Sequence, residues 1–111
     1  MKHIVLYYLL FLPFALSAQT VISIKIDGAI NPVTADYIHD GIEKAYNEKA
    51  TCLLIQLNTP GGLLQSTRVI VSSMLESRVP IIVYVSPGGA HAGSAGVFIA
   101  MAANIADGPG Y

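Results

Sequence analysis

The sequence predicts an α/β fold organised around a parallel β-sheet. Three apolar segments of strand length, residues 21–26, 52–57 and 81–85, alternate with three segments whose apolar residues recur at helical spacing. Strands that alternate with helices in this order are typical of right-handed βαβ crossovers. A chain of 111 residues, 53% of them hydrophobic, fits a single domain with little polar surface.

The first strand and the first helix are separated by a turn. Residues 21–26 alternate apolar and polar side chains and run into an Asp-Gly pair, which is typical of a strand that ends in a turn. Pro32 and Thr34 suit a helix start, and the pattern predicts a helix between residues 31 and 48 with His39 on its solvated face. The predicted buried stripe of this helix consists of Val33, Tyr37, Ile38, Ile42, Ala45 and Tyr46.

The rest of the chain continues the alternation. Residues 52–57 form a continuous apolar run, which is expected when both faces of a parallel strand are covered, and Cys52 at its start is predicted to be a core thiol. Residues 81–85 predict a third buried strand, the last helix is predicted to end near Asn104, and residues 105–106 can begin a fourth strand. The second helix is predicted to bury Leu63, Leu64, Thr67, Val71, Met74 and Leu75.

Residues 1–18 have the pattern of a secretory signal peptide. Lys2 precedes an apolar segment of about a dozen residues, which is short against the roughly 20 that span a bilayer. Ser17 and Ala18 supply the small residues of a cleavage site, and cleavage is expected after one or the other. The alternative is an uncleaved membrane anchor. Both interpretations export the remainder to the periplasmic or extracytoplasmic face of the membrane.

Residues 19–111 have the composition of one unit without a nucleic-acid partner. The six Lys and Arg residues are scattered over the chain and the formal net charge is -1, so no basic surface is available to neutralise phosphates. No pattern predicts a metal site or a cofactor. Because the sequence stops just after a turn, we expect this unit to be the amino-terminal part of a larger, incomplete domain.

Two glycine-rich loops, residues 58–62 and 86–93, each follow a predicted strand. In open α/β sheets ligands bind at the carboxyl edge of the strands, so the two loops are predicted to form one site. The second loop delivers Ser94 to the start of an apolar helix, where free N–H groups and the positive end of the helix dipole would stabilise a developing anion. This position makes Ser94 the candidate nucleophile.

Other motifs at this serine are incomplete. The loop lacks the lysine of a phosphate-binding P-loop, and the string AGSAG resembles a nucleophile elbow but is followed by no histidine. A serine nucleophile needs a general base. His91 is the imidazole closest in sequence but nothing orients its ring, and Lys25 and Lys49 are poor candidates. The base is therefore predicted to be missing from this chain.

The segments NTPGG at 58–62 and PIIVYVSPGGAHAGSAGVFIAMAAN at 80–104 resemble the amino-terminal protease domain of the NfeD membrane-bound serine proteases. The resemblance covers residues 21–106 and implies a layered ClpP/crotonase-like fold, of which this chain would hold the amino-terminal part only. It implies that Ser94 is the nucleophile of a Ser–Lys dyad. It also implies an oxyanion hole of backbone N–H groups from Gly61, Gly62, Leu63 and Ala95. A Cβ at Gly62 is expected to obstruct the approach of the substrate.

The same resemblance implies the kind of substrate. An NfeD-type protease would cleave peptides or membrane proteins, stomatin-like proteins among them, without a cofactor and as a homo-oligomer. Its lysine would lie beyond Tyr111, so the chain is expected to be truncated before the base and inactive alone. One alternative is a crotonase-type acyl-CoA enzyme, which export argues against because CoA chemistry is cytosolic. The other is a non-catalytic membrane scaffold that partners stomatin-like proteins.

Overall fold

The computed structural model describes residues 19–109, so the predicted signal peptide lies outside the described residues. Four strands and three helices alternate along this part of the chain. In chain order they are β1 (Val21–Asp27), α1 (Pro32–Asn47), β2 (Cys52–Asn58), α2 (Leu64–Leu75), β3 (Ile81–Val85), α3 (Ala95–Ala102) and β4 (Ile105–Asp107). Each predicted strand is present, including the short fourth one.

The four strands form one parallel sheet in the order β1-β2-β3-β4. Its register places Ile24 beside Ile55 and Ile55 beside Val83. Because the strand order follows the chain order and parallel crossovers are right-handed, the three connecting helices all pack on the same face of the sheet. The predicted α/β fold with a parallel sheet is confirmed.

The two faces of the sheet differ in burial. The helix-covered face carries the strand residues of the core, which are Ile24, Ile26, Leu53, Ile55, Leu57, Ile81, Val83 and Val85. On the opposite face Lys25 and Tyr84 are exposed and Gln56 is half-buried, in one row across the strands. The expectation that residues 52–57 are covered on both faces is therefore wrong within residues 19–109. Cys52, predicted to be a core residue, lies on the open face and is half-buried.

Helix α1 begins at a side-chain cap. The Thr34 N–H donates to the Asn31 Oδ1 at 3.0 Å, and the Asn31 N–H donates to the Thr34 Oγ1 at 3.3 Å, so the two residues form a capping box. Pro32 occupies the first turn, where its missing N–H has no helical partner to lose. Of the predicted stripe, Ile38, Ile42 and Ala45 are buried, whereas Val33, Tyr37 and Tyr46 are exposed; His39 is exposed as predicted.

Helices α2 and α3 leave large apolar side chains uncovered. Helix α2 buries Ser66, Thr67, Ile70 and Met74, so Thr67 and Met74 are buried as predicted. The predicted burial of Leu63, Leu64 and Leu75 is wrong, because the helix is rotated so that Ile70 faces the sheet. In α3, Ile99 is buried while Val97, Phe98 and Met101 are exposed. None of the helices within residues 19–109 combines the length and the apolar composition needed to cross a bilayer.

Candidate active site

The two glycine loops lie side by side at the carboxyl edge of the sheet. The Thr59 N–H donates to the His91 carbonyl at 2.7 Å, and the Gly93 N–H donates to the Thr59 carbonyl at 2.9 Å. These two bonds form a parallel bridge between Thr59 and Ala92. The structure therefore brings the two loops together at the edge that the sequence indicated.

Asn58 connects the second glycine loop to the end of β1 and the residue that follows it. Its Oδ1 accepts from the His91 N–H at 3.0 Å, and its Nδ2 donates to the Asp27 Oδ1 at 3.2 Å. The Asn58 carbonyl accepts from the Gly28 N–H at 2.9 Å. Sequence reasoning assigned no role to Asn58. The available signal was an amide side chain placed directly after a buried strand, where it can satisfy backbone groups of neighbouring loops.

Ser94 is the last residue before α3 and has a strained backbone. Its φ of 48° and ψ of -108° place a residue with a side chain in the positive-φ region. Such conformations raise the energy by about 1–3 kcal/mol and persist where the surrounding structure imposes them, often at functional sites. The residue is exposed, and its hydroxyl makes no capping hydrogen bond to the helix. Ser94 thus presents a free hydroxyl at a sharp turn, as a nucleophile elbow does.

Gly61 lies against this serine. A Cβ built on Gly61 would come 2.8 Å from the Ser94 Cβ and 3.4 Å from its Oγ, and the φ of Gly61 is +123°. The conformation is held by Thr59, which is fully buried. Its hydroxyl accepts from the Gly61 N–H at 3.1 Å and donates to the Gly61 carbonyl oxygen at 3.2 Å. Glycine is therefore required at position 61 both by its φ and by the closeness of Ser94.

Gly62 is required for a different reason from the one expected. A Cβ at this position would run into the backbone of Ile30, with the Ile30 carbonyl carbon only 2.7 Å away. The predicted obstruction of the substrate is therefore corrected, since Gly62 permits two backbone segments to approach closely. Those segments form a parallel bridge between Ile30 and Gly62.

The hydrogen bonds of this bridge narrow the set of predicted oxyanion donors. The Leu63 N–H donates to the Ile30 carbonyl at 2.9 Å, and the Gly61 N–H is bonded to Thr59. Each N–H carries one hydrogen, so these two donors are already engaged. The N–H groups of Gly62 and Ala95 take part in none of the backbone hydrogen bonds between residues 19 and 109 outside helices and strands. Only these two of the four predicted donors remain available.

The described residues bring no base to Ser94. The His91 side chain is exposed, and the backbone of His91, not its ring, makes the hydrogen bonds that order the loop. Lys25 lies on the open face of the sheet and Lys49 follows the end of α1, and no lysine occurs after Lys49 in the 111 residues. Within residues 19–109, no three His, Cys, Asp or Glu side chains are grouped as a metal site.

An apolar groove lies between α2 and α3. Its volume is about 420 Å³, and its lining residues are Leu64, Thr67, Arg68, Val71, Ser72 and Phe98. Leu64 comes two residues after Gly62, and Phe98 comes one helical turn after Ser94. Two residues that line the groove are therefore close in sequence to the candidate site.

Comparison with known proteins gives consistent matches. The family model described as "NfeD1b, N-terminal domain" matches residues 20–107. Membrane-bound protease PH1510 from Pyrococcus horikoshii is 36% identical over 98 residues, which are 87% of this chain and 22% of that protein. Membrane protein NfeD1b from Bacillus subtilis is 30% identical over 86 residues, or 78% of this chain and 19% of that protein. The chain thus spans about a fifth of the length of these relatives.

Solved structures with the same fold include proteases. A serine-to-alanine mutant of the 1510-N membrane-bound stomatin-specific protease superposes with a TM-score of 0.80 at 35% identity, covering 83% of this chain and 45% of that one. A lysine-to-alanine mutant of 1510-N in complex with a substrate peptide superposes with a TM-score of 0.79 at 36% identity, covering 83% and 42%. A ClpP1 mutant from Listeria monocytogenes has a TM-score of 0.66 at 21% identity over 73% of this chain and 46% of that one, which shows a shared ClpP-like fold.

Proposed function

The chain belongs to the family of NfeD1b amino-terminal domains, and on that basis we propose that it is the nucleophile-bearing part of a membrane-associated serine endopeptidase. The observation that carries the proposal is the exposed hydroxyl of Ser94 on a strained turn beside two unengaged N–H groups, those of Gly62 and Ala95. Relatives described as membrane-bound proteases support the same activity.

In the proposed reaction the Ser94 Oγ attacks the carbonyl carbon of a peptide bond. As the C–O bond forms, the hydroxyl proton passes to a general base and the carbonyl oxygen becomes an oxyanion. The N–H groups of Gly62 and Ala95 would donate to that oxyanion, and each such donor typically contributes about 2.7–4 kcal/mol to transition-state stability. Collapse of the intermediate expels the amine, which takes the proton, and leaves an acyl-enzyme on Ser94 for water to hydrolyse.

The base in this proposal is a lysine that residues 1–111 do not supply. A lysine can serve at neutral pH when its surroundings lower its pKa, as burial near a serine does. A lysine-to-alanine mutant of 1510-N in complex with a substrate peptide fits a Ser–Lys dyad. The polypeptide 1–111 alone would then be inactive, and activity would require the lysine-bearing segment.

The proposed substrates are membrane-associated proteins on the exported side, stomatin-like proteins among them. Residues 1–18 would act as the signal peptide that takes Ser94 to that side. The described 1510-N relative is specific for stomatin and forms a complex with a peptide. Hydrolysis of such substrates by this mechanism needs no cofactor, since the nucleophile and the oxyanion donors are both protein groups.

Peptide hydrolysis by the complete gene product tests the proposal. We expect Ser94→Ala to abolish turnover of internally quenched peptides while the thermal melting temperature stays unchanged, because the substitution removes one exposed oxygen. Ser23→Ala is the matched control, since Ser23 is exposed on the open face of the sheet, and its kcat/KM should equal that of the parent. Undiminished hydrolysis by the Ser94→Ala protein would reject Ser94 as the nucleophile. If that protein also retains its membrane-protein partners, the scaffold alternative is favoured.

A further inference from the structure

We infer that the groove between α2 and α3 selects a substrate segment that carries a large apolar side chain with a carboxylate one or two residues away, and that Arg68 recognises this carboxylate. The inference rests on the proposed function, because it takes Ser94 as the point of cleavage. It assigns a substrate class to the site and a specificity-determining role to Arg68.

The groove is suited to an apolar side chain. Leu64 and Phe98 line it and are 64% and 59% exposed, although burial of apolar side chains this large is favourable. Helix α3 is apolar on every side, which is unusual for a helix surface that faces water alone. Neither side chain is buried in the core. An apolar residue of a bound peptide would cover them.

Arg68 gives the groove its charge. It is the one charged residue among the described residues that line the groove. The other arginine of this region, Arg78, is already engaged: its guanidinium lies 4.8 Å from the centroid of the Tyr46 ring and donates to the Tyr46 hydroxyl at 2.7 Å. An exposed guanidinium at the side of an apolar groove is complementary to a carboxylate, which it can bind through two parallel N–H donors.

The helix geometry sets the spacing between the two recognised groups. Leu64 and Arg68 lie one turn apart on α2, and a helical turn advances about 5.4 Å. An extended peptide advances about 3.3 Å per residue. In an extended peptide whose apolar side chain contacts Leu64, the side chain one or two residues farther along can therefore reach Arg68. That side chain is the one that carries the carboxylate.

Paired peptides provide the test. Three fluorogenic peptides would share an apolar residue at the scissile bond. They would differ only at the position two residues from this apolar residue, where they carry Glu, Gln or Lys. With the complete gene product at low ionic strength, we expect kcat/KM to be about twofold to fivefold higher for Glu than for Gln, as exposed ion pairs allow, and lowest for Lys. R68E should reverse the order of the Glu and Lys peptides, and added salt should reduce the preference. R78Q, the matched control, should leave the order unchanged.

A second measurement separates the two hypotheses. Fluorescence anisotropy of the same peptides with the Ser94→Ala protein reports binding without cleavage, and it should show the same order. If Ser94→Ala hydrolyses peptides normally, the proposed function is rejected, while anisotropy still reports peptide binding to the groove. If the Glu and Lys peptides bind equally, if neither binds, or if R68E leaves their order unchanged, the role of Arg68 is overturned. Phe98→Ala should weaken all three peptides alike, and unaltered binding in that variant would exclude the groove as the apolar subsite.

Discussion

Replacing Gly61 by alanine should disable the site while leaving the domain folded. The added Cβ would lie 2.8 Å from the Cβ of Ser94, which is about 0.6 Å inside the 3.4 Å at which ordinary van der Waals contact begins. The nearest atom is a Cβ fixed by its own backbone, so rotation of the Ser94 side chain cannot relieve the clash. Either the loop or the start of α3 has to move.

Two separate effects follow from this change. The first is backbone strain, because alanine at a φ of +123° raises the energy of the folded state by about 1–3 kcal/mol. The second is displacement of Ser94, the proposed nucleophile, by several tenths of an ångström. Since a 1 Å misplacement of reacting groups can lower a rate about 100-fold, we expect kcat/KM for peptide hydrolysis to fall by about tenfold to 100-fold.

Gly28→Ala separates the two effects. Gly28 has a φ of +129°, close to that of Gly61, but a Cβ there meets nothing within 4 Å. Gly61→Ala should lose at least as much free energy of unfolding as Gly28→Ala in urea denaturation followed by circular dichroism, and only Gly61→Ala should lose turnover. Equal kcat/KM values for the two variants would refute the close contact between Gly61 and Ser94. So would a Gly61→Ala protein as active as the parent.

Three further outcomes are expected. Thr59→Val removes the hydroxyl that bonds the Gly61 N–H and leaves a buried donor unpaired, so urea denaturation should show a loss of about 1–3 kcal/mol, whereas Thr59→Ser should restore most of it. Asn31→Ala removes the capping box of α1 and should lower the free energy of unfolding by about 1 kcal/mol, with kcat/KM unchanged. His91→Ala should leave peptide hydrolysis nearly unaltered, and a loss as severe as that of Ser94→Ala would identify a Ser–His pair instead of a Ser–Lys dyad.

The order of strands and helices could be predicted from the sequence because each signal is local. A parallel strand that packs under helices is rich in Ile, Leu and Val, and residues 52–57 and 81–85 show this directly. The start of α1 is marked by Pro32 and Thr34, which both lie in the first turn, although the capping residue itself is Asn31. Such features depend on neighbours a few residues apart, so they can be recognised in the sequence without knowledge of the tertiary fold.

The rotation of each helix could not be predicted in the same way. Helix α2 has apolar residues around much of its circumference, so periodicity offers two nearly equivalent faces. The structure buries Ile70 and exposes Leu64 and Leu75, and the choice depends on how the sheet and α3 contact the helix. From the sequence alone, an apolar residue beside a binding site cannot be distinguished from an apolar residue of the core. Of the α2 residues whose burial was predicted wrongly, Leu64 lines the groove, whereas Leu63 and Leu75 do not.

The candidate oxyanion donors were limited by a contact between distant parts of the chain. The Ile30 N–H donates to the Gly61 carbonyl at 2.9 Å, and the Ile30 carbonyl accepts from the Leu63 N–H at the same distance. In a parallel ladder, a residue whose two neighbours bond to one partner directs its own N–H to the opposite edge. Gly62 is that residue, so its N–H faces away from Ile30 and stays free for another acceptor. The glycine loop alone suggests several donors, but its pairing with Ile30 determines which of their N–H groups is left without a hydrogen-bond partner in this loop.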